Sequence, residues 1–240
     1  MPRFKIDQNQ IKNDTVILSG DDVKHINRVL RHGIGDELIL FDGYGTEYTT
    51  RIEKSGKSEI EAIIISRTSV NRESPVQITL LQSITKGEKM DMIVQKATEL
   101  GVNRIVPISC KHSDVRNTKK ISRWQRIADE AIKQCARIKS PEIYDEMNFE
   151  SAVIKFRSDL NLLFYEKYCE LDLSELNGEK LAHPESITII IGPEGGFAQT
   201  EASFAKSKGY LLLNLGPRIL RSETAAIVSI SIIQHIFGDI

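Results

Sequence analysis

Two short stretches near the C-terminus carry residues whose type and spacing could do chemistry. The first is Gly192-Pro193-Glu194-Gly195-Gly196-Phe197, and the second runs from Leu215-Gly216-Pro217-Arg218-Ile219-Leu220 through Arg221-Ser222-Glu223-Thr224-Ala225. Glycines at 192, 195 and 196 allow positive φ and close backbone approach, while Pro193 stiffens the bend. Such a loop offers bare amides and carbonyls to a planar ligand. It has neither the Lys-Ser or Lys-Thr pair of a phosphate-binding loop nor the Gly-x-Gly-x-x-Gly spacing of a dinucleotide turn. The second stretch presents Arg218 and Arg221 ahead of a predicted helix start at Ser222, with Glu223 in the first turn, where a carboxylate is favourable. The same residues also fit a blander reading, two tight strand-to-helix turns bearing surface arginines.

The elements that must position these turns follow from apolar patterning. Residues 187–191 and 211–215 are short runs of branched and leucine side chains, each closed by a glycine turn. Continuous apolar character over so few residues predicts parallel strands covered on both faces, and both turns then open at the carboxyl edge of one sheet, where open α/β proteins bind ligands. Upstream, residues 76–82 read as a strand, 88–100 as a helix closed by Gly101, and 104–108 as the next strand, a βαβ unit. Asn148 is expected to cap a short helix to Phe156, followed by a strand at 160–165, and the acidic, weakly patterned residues 166–186 read as loop. A helix over 118–138 would put Ile121, Trp124, Ala128, Ala131 and Cys135 on one face, which makes Trp124 core rather than a base-stacking platform. The last helix, 224–237, is apolar on nearly all sides, more than one small domain can cover.

The first seventy residues read as a small β-rich module. Strands are expected at 15–18, 37–41, 46–52 and 59–65, with a helix capped by Asp21 or Asp22 and running to Leu30 on an apolar face of Val23, Ile26, Val29 and Leu30. Lys24, His25, Arg28, Arg31 and His32 line its polar side. The polar, proline-terminated stretch 66–75 separates this domain (1–70) from a larger one (74–240).

Composition narrows the function classes. The 240 residues are 40% hydrophobic and 27% charged, with no apolar run approaching the roughly 20 residues of a membrane span. The start lacks an apolar signal core, and Cys110, Cys135 and Cys169 are odd in number and far apart, as expected of reduced thiols in a cytoplasmic protein. Five histidines form no metal cluster in the sequence. The net charge of −1 hides a basic middle, in which residues 71–140 carry fourteen Lys/Arg against seven Asp/Glu. Six of those cations lie between Lys111 and Arg126, a pattern that fits a polyanion footprint or neutralisation by the acidic third that follows.

Gly-Pro-Glu-Gly-Gly-Phe, its spacing to Leu-Gly-Pro-Arg-Ile-Leu-Arg-Ser-Glu-Thr-Ala-Ala, and Lys86-Gly-Glu-Lys-Met-Asp-Met-Ile-Val-Gln-Lys upstream together resemble the bacterial small-subunit ribosomal RNA uridine N-3 methyltransferases. That family belongs to the SPOUT class of knotted methyltransferases, and the resemblance spans essentially the whole chain. It implies an α/β protein with a C-terminal SPOUT domain, its parallel sheet trefoil-knotted, and a small N-terminal β-rich, PUA-like RNA-binding domain, for which residues 25–36 look like a signature. The family phrase Gln-small-Arg before a proline stands here as Gln134-Cys135-Ala136-Arg137 with Pro141 following. Cysteine at 135 weakens only a role that needs a hydroxyl.

By this resemblance the cofactor is S-adenosylmethionine, held by Gly192, Pro193, Glu194, Gly195, Gly196, Leu215, Gly216, Ile219, Leu220, Thr224 and Ala225, with Tyr165 nearby. Gly195→Val is expected to clash with it. No metal is required, since the leaving group is a cation that becomes neutral. Methylation at N-3 must remove an imide proton and stabilise charge on the uracil carbonyls, a task that suits Arg221, with Glu223 orienting that arginine or accepting the proton. Lys24, Arg28, Arg31, Lys119, Lys120 and Arg123 are the expected RNA contacts, made to phosphates of ribosomal RNA, within the small ribosomal subunit. Knotted relatives pair beside the knot, so a homodimer is expected. Two alternatives are a knotted enzyme acting on a ribose 2′-hydroxyl and a noncatalytic ribosome-assembly factor.

Overall fold

The computed structural model describes residues 1–167, 176 and 183–240. Two compact units are present, one of residues 1–73 and 132–139, the other of residues 74–131 and 140–240.

The first unit is built on strands β1 (Arg3–Lys5), β2 (Ile11–Lys12), β3 (Thr15–Ser19), β4 (Glu37–Phe41), β5 (Thr46–Ser55) and β6 (Glu59–Ser69), in spatial order β1-β4-β5-β6-β3-β2. Only the β1–β4 pair is parallel. Alternation drives it: Val16 and Leu18 of β3 face the core with Leu38, Leu40, Ile52 and Ile60, while their neighbours stay wet. β1 and β2 are too short to leave a sequence signal, and β6 runs to Ser69, four residues into the stretch expected to be linker. The helix also differs from expectation. Gly20, at φ +73°, is its N-cap residue, and Asp21 and Asp22 sit in the first turn of α1 (Asp21–Lys24). The chain then widens into a π-helical turn, His25–Leu30, and this change of pitch carries Val29 off the core face, to 68% exposure, while Ile26 stays fully buried. Glu73 and Arg137 form a buried ion pair with Nη2 2.6 Å from Oε2, and Glu73 Oε1 accepts the amides of Ile138 and Lys139.

The second unit holds the expected parallel sheet. Its strands are β7 (Gln77–Ser83), β8 (Arg104–Ser109), β9 (Glu142–Ile143), β10 (Met147–Asn148), β11 (Leu160–Phe164), β12 (Ser186–Ile191) and β13 (Leu211–Leu213). Their order is β10-β8-β7-β12-β11-β13, with β9 also on β8, and every pairing is parallel. Helices are α2 (Lys89–Glu99), α3 (Ile121–Cys135), of which residues to Ala131 belong here, α4 (Phe149–Lys155), α5 (Gln199–Ser207) and α6 (Ser222–Phe237). α2, α3 and α6 supply side chains to the core on one face of the sheet, and α4 and α5 to the core on the other. Cover on both faces is why β12 could be written as isoleucines at 187, 189, 190 and 191, broken by a Thr188 that is itself buried.

Boundaries moved where local chemistry intervened. Ala136 takes φ +63° and ends α3 at Cys135, so the helix covers 121–135 rather than 118–138. Trp124 is 1% exposed and donates its indole N–H to Asp91 Oδ1 at 3.0 Å, the core role expected of it. β13 stops at Leu213, because Asn214 Oδ1 accepts the Gly216 amide and folds the chain into a turn. Asn148 caps α4 through Ser151 N at 2.8 Å, and Gly101 closes α2 at φ +85°. Cys110 is buried, which pushes its thiol up to about 12, and Cys135 is half-buried; Cys169 and most of the stretch expected as a 166–186 loop lie outside the described residues.

Candidate active site

Parallel β11, β12 and β13 end at one edge, and the chain leaves them as Tyr165-Glu166, Gly192–Phe197 and Asn214–Arg221. Ser222, in the first turn of α6, donates its hydroxyl to Gly192 O at 2.6 Å and accepts from Gln82 Nε2 at 3.0 Å. Ser222 therefore does not cap the helix; Arg221 occupies the N-cap position without a side-chain cap bond, at φ −66° and ψ 152°. The Gln82–Ser222–Gly192 chain fastens the end of β7, the first glycine turn and α6 together.

Each glycine of the first turn is needed for a different neighbour. A Cβ on Gly192 would stand 2.9 Å from the Phe197 ring, and one on Gly195 would stand 3.0 Å from His112 Cβ. Gly196, at φ +68°, would put its Cβ 2.6 Å from Glu166 Oε1. A side chain at 195 would therefore meet His112 of the chain itself. In the second turn Gly216 takes φ +89° with nothing near its missing side chain, and Ile219 is 85% exposed.

Between the turns lie two adjoining cavities. The larger, about 220 Å³, is lined by Gly192, Pro193, Glu194, Gly196, Arg221 and Ser222, and the smaller, about 90 Å³, by Tyr165, Asn214, Leu215, Gly216, Pro217 and Arg218. Phe164, Glu166, Ile219, Leu220 and Ala225 line both. Ten of the twelve residues expected around a cofactor are brought together here. Gly195 and Thr224 are not: Gly195 lies against His112, and Thr224 is exposed and lines neither cavity.

Charge at this edge is organised by Lys89, the first residue of α2. Its ammonium stands 3.0 Å from Glu194 Oε1 and 3.8 Å from Glu223 Oε2. Burial works to raise the Glu194 pKa, but main-chain hydrogen bonds and Lys89 outweigh it and hold the carboxyl below its usual range. Glu223 is only 12% exposed, and its Oε2 is buried without a hydrogen-bond partner. The expected pairing of Glu223 with Arg221 is not made; Arg221 lines the larger cavity with no ion pair or hydrogen bond from its side chain among the described residues. The uncommitted guanidinium on the cavity wall can stabilise an anion, and the desolvated Glu223 oxygen, two residues along the chain and lining neither cavity, is a proton acceptor by its chemistry.

The cations expected to meet RNA fall into different situations. Lys119 and Lys120 are exposed with uncommitted side chains, as are Arg28 and Arg31 on the first unit. Lys24 pairs with Asp21 at 2.7 Å in an exposed setting worth little. Arg123 is exposed and makes an ion pair within the chain: its Nε and Nη2 grip Asp91 Oδ2 at 3.0 and 2.6 Å, the carboxylate that also holds Trp124. Lys57 joins Lys24, Asn27 and Arg28 around a surface groove that sequence reading missed, because the β5–β6 turn that carries it is distant in sequence. Lys89, Gln82 and Glu166 were missed for the same reason, although Lys89 lies within the quoted Lys86–Lys96 phrase. No group of three His, Cys, Asp or Glu is placed to hold a metal ion among the described residues.

Comparisons with known proteins converge. Residues 72–234 match the RNA methyltransferase domain family and residues 18–65 the RNA methyltransferase PUA domain family. The ribosomal RNA small subunit methyltransferase E of Buchnera aphidicola (subsp. Acyrthosiphon pisum) is 34% identical, over all of this chain and 95% of its own. The crystal structure of the ribosomal RNA small subunit methyltransferase E of Neisseria gonorrhoeae bound to S-adenosylmethionine superposes with a TM-score of 0.89 at 36% identity, covering 100% of this chain and 99% of that one. A Legionella pneumophila chain solved with bound S-adenosylmethionine gives 0.90 at 34% identity, covering 99% and 98%.

Proposed function

The chain belongs to the ribosomal RNA small subunit methyltransferase E family, and from that premise we propose that it methylates N-3 of one uridine in small-subunit ribosomal RNA. It is an S-adenosylmethionine-dependent ribosomal RNA methyltransferase, with a PUA domain at its N-terminal end. The observation that carries the reading is the pair of joined cavities at the carboxyl edge of β11, β12 and β13, walled by bare glycine backbone and opening beside Arg221. The residues present fit the cofactor: Gly216, at φ +89° with open space around its missing side chain, leaves main-chain groups bare, and Leu220, Ala225 and Phe164 give apolar walls.

S-adenosylmethionine, when bound, supplies an electrophilic methyl group on a sulfonium. The chain's part is to hold the uridine in line and to manage charge. Arg221, uncommitted in the structure, stabilises the negative charge spread over the uracil carbonyls as the imide proton leaves. Glu223 Oε2, buried and without a hydrogen bond, accepts that proton, and Lys89 at 3.8 Å steadies the carboxylate. Lys119 and Lys120, and Lys24, Arg28 and Arg31 of the first unit, contact phosphates within the small ribosomal subunit, in the cytoplasm.

Homodimer formation and knotted threading belong to the same proposal. Ile227, Val228 and Ile232 of α6 are only partly covered, which supports a second copy on that face. β12 lies between β7 and β11, and α6 returns from the β13 edge to pack on α2 and β12, an order that supports threading. Sedimentation at micromolar concentration should give twice the 27.1 kDa chain mass. Incubation with small-subunit RNA and labelled S-adenosylmethionine, followed by nucleoside analysis, should yield 3-methyluridine; a 2′-O-methylated nucleoside would move the target to ribose, and no incorporation would leave an RNA-binding scaffold.

A further inference from the structure

We propose that Glu166 binds the ribose diol of the methyl donor, an assignment that rests on the methyltransferase reading and deepens it. Five residues line both cavities, and four of them, Phe164, Ile219, Leu220 and Ala225, are apolar. Glu166 is the only polar side chain of the shared wall among the described residues. A ligand that fills both cavities has its middle there, and the middle of S-adenosylmethionine is the ribose, with adenine on one side and the amino-acid chain on the other. A carboxylate presents two acceptor oxygens and no donor, which suits two adjacent hydroxyls.

Two further observations single out this carboxylate. Its Oε1 lies 2.6 Å from where a Cβ on Gly196 would stand, so it occupies space that only a glycine at 196 leaves open. Its oxygens also have no partner among the described residues, whereas the other acids of this edge each face a cation or accept main-chain amides. Glu194 and Glu223 face Lys89, and Glu201 accepts the amides of Lys111 and Ala198 at 2.8 and 2.9 Å.

Titration calorimetry with S-adenosylhomocysteine, which cannot react, tests the assignment apart from activity. The unaltered chain should bind it; failure there would overturn the methyltransferase reading itself. Glu166→Ala should weaken binding about 10- to 100-fold, the scale of a lost charge-assisted hydrogen bond, with Glu166→Gln in between. Glu166 is exposed, so both variants should keep the parent's melting temperature. The 2′,3′-dideoxy analogue should bind the unaltered chain weakly and lose nothing more on Glu166→Ala. Unchanged affinity for S-adenosylhomocysteine in a folded Glu166→Ala chain would overturn the assignment. So would an equal loss with the dideoxy analogue, which would send Glu166 to the α-ammonium group.

Discussion

The two glycine turns look alike in the sequence, each a glycine and a proline after an apolar run, yet the structure uses them in opposite ways. The first turn is filled by its own protein: Phe197, His112 and Glu166 stand where side chains at 192, 195 and 196 would be, and Ser222 holds the Gly192 carbonyl. The second turn is open. Gly216 has nothing around its missing side chain, Arg218 and Ile219 are exposed, and the Arg221 side chain is left without a partner among the described residues. One turn is a rigid wall and the other carries the groups free to meet a substrate, so glycine in the first answers to packing and in the second to backbone conformation.

The sharpest way to break this contrast is at Arg221. If it acts only as charge develops on the uracil, Arg221→Ala should lower turnover about a hundredfold or more, as for a lost oxyanion donor, with RNA affinity nearly kept. A normal turnover number with a raised Michaelis constant would make it a binding residue instead. Next comes packing. Gly192→Ala should cost about 1–3 kcal/mol in urea unfolding, because the buried Phe197 ring must move, while Gly216→Ala should cost only about 1 kcal/mol, for its left-handed backbone. The reverse order would refute the wall-and-opening distinction.

A smaller effect concerns the anchor of the first turn. Glu194 has a lowered pKa in the fold, so its contribution to stability is present above the unfolded carboxylate range and fades as pH falls through the folded value. Lys89→Met should therefore lower stability at neutral pH by about 0.5 kcal/mol, given the partial exposure of the pair, and the difference should vanish in acid. A deficit that persists at low pH would mean that Lys89 acts through its stem packing. The smallest change is at the basic run: Lys119→Ala should reduce the salt dependence of RNA binding by about one counterion, whereas Arg123→Ala should act on stability through Asp91.

How much of this was legible beforehand depended on range. The parallel strands, the cap at Asn148, the end of α2 at Gly101 and the buried Trp124 were all readable, because period, capping and glycine conformation are properties of a few consecutive residues. So were the positions of most cavity-lining residues, which follow directly from strand ends. The π-helical turn at His25–Leu30 escaped, since its sequence keeps the apolar spacing of an ordinary helix and only packing chose the wider pitch. The Arg123–Asp91 ion pair was not legible either, because its partners lie thirty-two positions apart.

By itself, then, the sequence determined which segments would be strands of one parallel sheet, where each would end, and that glycine turns would crowd its carboxyl edge. Which glycines make room for Phe197, His112 or Glu166 and which stand in open space was decided only by the tertiary structure. The same holds for Lys89 between Glu194 and Glu223, and for the unpartnered carboxylate of Glu166 at the junction of two cavities. The physical reason is that a backbone's preference for a turn is local, whereas whether a side chain is committed or free depends on every group that folding brings within a few ångströms of it.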